Sequence, residues 1–203
     1  MRRLILSSIA LVSFAFAAPA FAKGNGFETT ITSPLNTPVK IEVVIGDDLA
    51  YRADNLPKKL SDRSSRRFNA TFGNNGYLGE RDLNRLAERL QRNVEKRLMK
   101  KGVAVDNMSP TTLRIVITDA KPNRPTFNQL RKEPNLSFQS FGLGGAEIQA
   151  ELIQAGGTSY GDMSYRFFES SIEHSQHNST WSDANRAIDR FARNAAKTLQ
   201  SKT

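Results

Sequence analysis

The sequence predicts an α+β domain, a two-layer sandwich in which an antiparallel sheet of four to five strands carries two helices on one face. Three observations predict it. Four segments alternate apolar and polar residues with the period of a half-buried strand, and two segments repeat apolar residues every three or four positions, the period of a surface helix. Each strand then has one apolar face and each helix one apolar stripe, so the economical packing lays both helices against the same side of a single sheet. A barrel decorated with helices is the alternative.

The chain begins with an export signal. Arg2 and Arg3 form a positive start, Leu4 to Ala18 is a nearly unbroken apolar stretch, and Ala20-Phe21-Ala22 places small residues where a signal peptidase reads them. A twin-arginine signal is the other reading of Arg2-Arg3. Residues 1–22 are therefore expected to be removed, leaving residues 23–203 as one domain. The apolar run is too short to span a bilayer of roughly 30 Å, and no later stretch has the ~20 apolar residues a span needs.

Phe27 to Thr32 has weak alternation and is a possible first strand, while Val39 to Ile45 alternates clearly, with Val39, Ile41, Val43 and Ile45 on one side. Arg52 to Gly76 holds six basic residues and little periodicity, which predicts a loop. From Glu80 to Lys101, Leu83, Leu86, Leu90, Val94 and Leu98 form one stripe, and Gly102 stands where a helix ends in a left-handed residue. Thr112 to Thr118 returns to strand alternation. Lys121 to Gly145 is a Pro-punctuated stretch too long to be a plain connection, yet rich in apolar residues such as Phe138 and Phe141. Its apolar groups fold back as a lid over the open sheet face, or form an exposed patch for a partner; burying the two phenylalanines favours the lid.

Ala146 to Gln154 and Tyr160 to Glu169 are two strands joined through Gly156-Gly157, a hairpin. Ser182 is expected to cap the last helix, whose stripe is Ala184, Ile188, Phe191, Ala195 and Leu199, with Trp181 stapling it to the sheet.

Composition limits the chemistry. At 38% apolar and 24% charged residues the 203-residue chain is an ordinary globular one. It has no cysteine, which excludes disulfides, thiolate catalysis, thiolate metal sites and a lipid attached through cysteine at the cleavage point. Two histidines exclude a three-histidine zinc site. No GxSxG elbow occurs, and Gly142-Leu143-Gly144-Gly145 leads into a strand rather than the helix N-terminus that a phosphate loop needs. No catalytic residue and no cofactor is indicated. The only metal-ligand grouping is Glu173, His174 and His177, in the turn before the last helix.

The net charge of +9 falls to +7 without Arg2 and Arg3. Helical geometry locates much of the excess: Arg81, Arg85, Arg89, Arg92 and Lys96 lie opposite the first helix's stripe, and Arg186, Arg190, Arg193 and Lys197 opposite the second's. With both helices on one sheet face, these nine cations share one exterior able to attract a polyanion such as an anionic lipid or glycolipid. The plainer reading is a solvated face laced by the pairs Glu88 with Arg92, Asp189 with Arg193, and Glu95 with Arg92. Aromatic residues for stacking bases are missing from these faces, so nucleic acid is not an expected partner.

The strand Leu113-Arg114-Ile115-Val116-Ile117-Thr118-Asp119, the glycine-to-strand segment Phe141 to Gln154, and Ser164-Tyr165-Arg166-Phe167-Phe168-Glu169 together resemble uncharacterised exported proteins and lipoproteins of Gram-negative bacteria. The resemblance covers Gly79 to Leu199 and brings no established activity, so no site residue comes with it. Many such proteins carry a lipid-attachment cysteine where this chain has Ala22-Lys23. The expectation is a periplasmic, soluble, unanchored and non-enzymatic protein. It binds another envelope component, protein or anionic glycolipid, through Arg81, Arg85, Arg89, Arg92, Arg186, Arg190 and Arg193, or through Phe138 and Phe141. The alternative is a metal-binding protein or metal-dependent enzyme built on Glu173, His174 and His177.

Overall fold

The computed structural model describes residues 24–58, 75–175 and 178–200; the expected signal segment lies outside them. In chain order the elements are β1 (Gly26–Thr29), β2 (Lys40–Ile45), α1 (Asp47–Tyr51), α2 (Glu80–Lys100), β3 (Thr112–Lys121), α3 (Phe127–Lys132), β4 (Gly145–Ile153), β5 (Ser159–Phe168), a 3₁₀ turn (Ile172–Ser175) and α4 (Ser182–Leu199). The strands form one open sheet of five in the order β1-β5-β4-β3-β2. Helices α2 and α4 pack on it and on each other, α2 over β2 and α4 over β4 and β5, so both lie on the same face.

Binary patterning accounts for this arrangement. Leu83, Leu86, Leu90, Val94 and Leu98 of α2 are buried, as are Ala184, Ile188, Phe191, Ala195 and Leu199 of α4. They meet Leu113, Ile115 and Ile117 of β3, Ile148, Ala150 and Leu152 of β4, and Met163 and Tyr165 of β5, all buried. Gly102 takes the left-handed conformation (φ 77°) directly after α2, where a side chain would be strained.

The sheet departs from expectation in one pairing. Strands β1, β5, β4 and β3 are antiparallel, but β2 runs parallel to β3, with Ile41 opposite Leu113 and Ile45 opposite Ile117. The reason is connectivity: a strand followed by a helix crossing the sheet face returns the chain in its starting direction. Two short helices also appear that the sequence reading does not mark. In α1, Leu49 is fully buried and Asp47 and Asp48 occupy the first turn, where carboxylates suit the helix dipole. Helix α3 lies inside the Lys121 to Gly145 stretch.

The face turned away from the helices is polar. Across it, Glu42 is opposite Arg114, Arg114 opposite Glu151, and Glu151 opposite Asp162, while Arg166 pairs with Glu147 in the neighbouring rows. Burial, then the adjacent Glu151 carboxylate, raises the Asp162 pKa above its ordinary value. A carboxyl that holds its proton more tightly when folded destabilises the fold as pH rises through and above its ordinary range. Asp162→Asn is therefore expected to add a few tenths of a kcal/mol near neutral pH. The gain should vanish in acid, where the carboxyl is already protonated; denaturation at the two pH values checks it.

Candidate functional site

The outer helical surface is built as the helical period requires. Arg81, Arg85, Arg92 and Lys96 of α2 and Arg186, Arg193 and Lys197 of α4 are exposed, and Arg89 and Arg190 are partly so. The contact of α2 with α4 joins the two arrays into one surface. The expected ion-pair lacing is only partly formed. Glu88 pairs with Arg92 at 3.6 Å. Asp189, expected to pair with Arg193, instead reaches across the helix seam, where Arg89 donates to it at 3.4 Å and the Asn93 amide donates as well. Glu95, expected to hold Arg92, accepts instead from the Gln91 amide at 2.9 Å. The Asp189 correction follows from packing, since a carboxylate between two packed helices finds a fixed neighbour there; Gln91 and Glu95 are instead neighbours one turn apart on α2.

The consequence is a division of labour among the cations. Arg186 lies 3.3 Å from Asp183 and 3.6 Å from Glu169, and Arg186 and Arg190 both sit over the Phe167 ring, at 5.8 and 4.8 Å. Arg81, Arg85 and Arg193 are exposed and make no salt bridge to a described residue, although Arg85 and Arg81 lie close enough to the Asp82 carboxylate to act on it electrostatically.

The Lys121 to Gly145 segment crosses one end of the sandwich, tying the residues before α2 to the start of α4. The Gln129 amide donates to the Gly76 carbonyl at 2.9 Å and the Thr126 hydroxyl to the Tyr77 carbonyl at 3.2 Å. At its other side Asn123, fully buried, donates to the Asp183 carboxylate and accepts from the Asp183 N–H at 3.0 Å. Asn123 thus caps α4 from 60 residues away. Ser182, the expected cap, is the first helical residue. Its hydroxyl accepts from the Ser179 N–H at 2.8 Å, and Trp181 occupies the cap position and packs against the core. Gly144 is required beside this knot, since a Cβ there would collide with the Asn123 amide.

The lid expectation is corrected by the same contacts. Polar side chains fasten the segment to the end of the sandwich, Phe138 remains 68% exposed, and only Phe141 is partly buried, with the Arg124 guanidinium 5.3 Å over its ring. Burying amides that find carbonyl partners holds the segment without burying the rings.

A cleft of about 510 Å³ opens beside the C-terminal end of β3, a feature with no sequence signature beyond the Thr118-Asp119 strand end. Its walls carry both signs of charge, Asp47, Asp48 and Asp119 against Arg52, Lys58 and Lys121. Arg52 is nearly buried and hydrogen-bonds to Asp119, so these two form a wall rather than a free reactive pair. Of the candidate metal grouping, Glu173 stands in the 3₁₀ turn, while the side chain of His174 and all of His177 lie outside the described residues. Among the described residues no helix is long and apolar enough to cross a membrane.

No family model matches the chain, and no curated protein matches it. Among solved structures it is similar to a PelC dodecamer from Paraburkholderia phytofirmans, at 7% identity and TM-score 0.46, over 89% of this chain and all of that one. It is also similar to a minor lipoprotein from Acinetobacter baumannii, at 10% identity and TM-score 0.32, over 79% of this chain and 91% of that one. Neither likeness brings a property to this chain.

Proposed function

We propose that the protein is a non-enzymatic, periplasmic binding protein that holds another component of the cell envelope, a protein or an anionic glycolipid, on the outer face of α2 and α4. The observation that supports this is the pairing pattern of that face. Asp189 is taken up at the helix seam by Arg89 and Asn93, while Arg81, Arg85 and Arg193 are exposed and make no salt bridge to a described residue, Arg81 and Arg85 having the half-buried Asp82 carboxylate as their electrostatic neighbour. Exposed pairs contribute little to stability, and an array of guanidinium groups is suited to bidentate recognition of phosphate and carboxylate. The export signal in the sequence supports the compartment.

Capture of envelope components on immobilised protein tests the reading. Recovery is expected to fall as salt is raised, because ions screen a surface site. It is expected to fall similarly at low salt for the variant Arg81→Gln/Arg85→Gln/Arg193→Gln, which leaves the buried and seam contacts intact. Equal recovery from that variant would remove the face from consideration.

A further inference from the structure

Phe127 and Phe138 are 74% and 68% exposed, and their rings meet edge to face with centroids 5.8 Å apart. Two large aromatic rings held together in water at the end of a domain are unusual for a surface with no partner. They stand on a built platform. Phe127 is the first residue of α3, whose start is closed by reciprocal bonds: the Gln129 N–H donates to the Thr126 hydroxyl at 3.2 Å, and the Thr126 N–H to the Gln129 side chain at 2.9 Å. Gln129 is fully buried, and Asn128 donates to the Ala53 carbonyl at 2.8 Å. The inner side of the helix is thus fixed, and its opposite side, with Phe127, is presented outward.

Arg131, exposed and four residues after Phe127, lies on the same side of α3, one turn on. Of the segment's other cations, Lys121 lies over the Phe168 ring, Arg124 is held by the Asn178 and Gln139 carbonyls, and Lys132 by the Asp54 carbonyl, which leaves Arg131 as the cation that accompanies Phe127. The area decides between a protein and a lipid surface. The two rings offer about 300 Å² of apolar surface. A stable protein interface needs about 800 Å² from each partner, with a wider apolar centre than one ring pair supplies. A ring pair accompanied by an exposed arginine matches the bilayer boundary, where aromatic side chains settle among headgroups and a basic one meets their phosphates.

We propose that Phe127 and Phe138 form a docking tip that inserts into the headgroup region of an anionic bilayer, with Arg131 on the lipid phosphates. The tip is separate from the helical face and does not depend on it.

The test uses protein purified after export and vesicles of phosphatidylcholine with or without phosphatidylglycerol. The wild type is expected to sediment with the anionic vesicles, and Phe127→Ser/Phe138→Ser, which removes only exposed rings, to bind them about tenfold more weakly or less. In Phe138→Trp, the emission above the Trp181 background should shift to the blue on adding anionic vesicles. The same shift is expected when Arg81, Arg85 and Arg193 are also changed to Gln, which separates the tip from the helical face. The proposal is overturned if the wild type ignores anionic vesicles or if the serine variant binds as well as wild type. A tryptophan that sediments with the vesicles yet keeps its aqueous emission also overturns it, since adsorption would then come from another face.

Discussion

Asn123→Ala is expected to lower stability by about 3 kcal/mol, because it removes a donor and an acceptor from one buried carboxylate position. Asp183 is fully buried, and without Asn123 its remaining partners are Asn178 and Arg186, each at 3.3 Å. Its N–H, in the first turn of α4, would have no acceptor in place of Asn123 Oδ1. The same change cuts the tie between the Lys121 to Gly145 segment and α4, since Asn123 also donates to the Gly142 carbonyl at 3.4 Å. For a domain of this size the loss corresponds to a fall in Tm of about 6–12 °C. Proteolysis within 121–145 should accelerate beyond what the global loss explains. A change below about 1 kcal/mol in denaturant would mean that solvent reaches Asp183 and that the knot does not hold the segment.

Phe191→Ala is expected to cost about 4 kcal/mol. The ring is completely buried between α4 and the sheet and lies 6.4 Å from the Phe27 ring. Phe27 belongs to β1, a four-residue edge strand paired with β5, and packs against the core. The cavity should therefore loosen β1 as well as α4. Hydrogen exchange should show lost protection at Glu28 and Thr30, the β1-side amides that face β5, together with the α4 amides. Phe191→Leu, which fills most of the volume, should cost less than half as much.

Sequence periodicity revealed the parts of the fold that repeat. The stripe Leu83 to Leu98 and the alternation Leu113, Ile115, Ile117 are set by burial on one side of a regular element, and the structure buries those residues. The direction of β2 was less legible, because alternation says which side a strand buries and nothing of which way its neighbour runs. Helix α1 is five residues long, shorter than any period can establish, and only Leu49 marks its buried side. The cap of α4 was invisible for a different reason: Asn123 reaches Asp183 across the fold, whereas local patterning pointed to Ser182. The basic face was legible in position but not in pairing. Helical spacing put Arg85 and Arg193 outside, while the fate of Asp189 depended on where α2 lay beside α4.

Photo-crosslinking in living cells tests most directly whether the outer helical face holds the partner. A photoreactive residue is placed at position 85 or 193 on that face, or at position 151 on the open side of the sheet. The account predicts adducts to envelope protein or glycolipid from 85 and 193, diminished when the remaining outward arginines are neutralised, and none from 151. Adducts from 151 with none from 85 or 193 would contradict it.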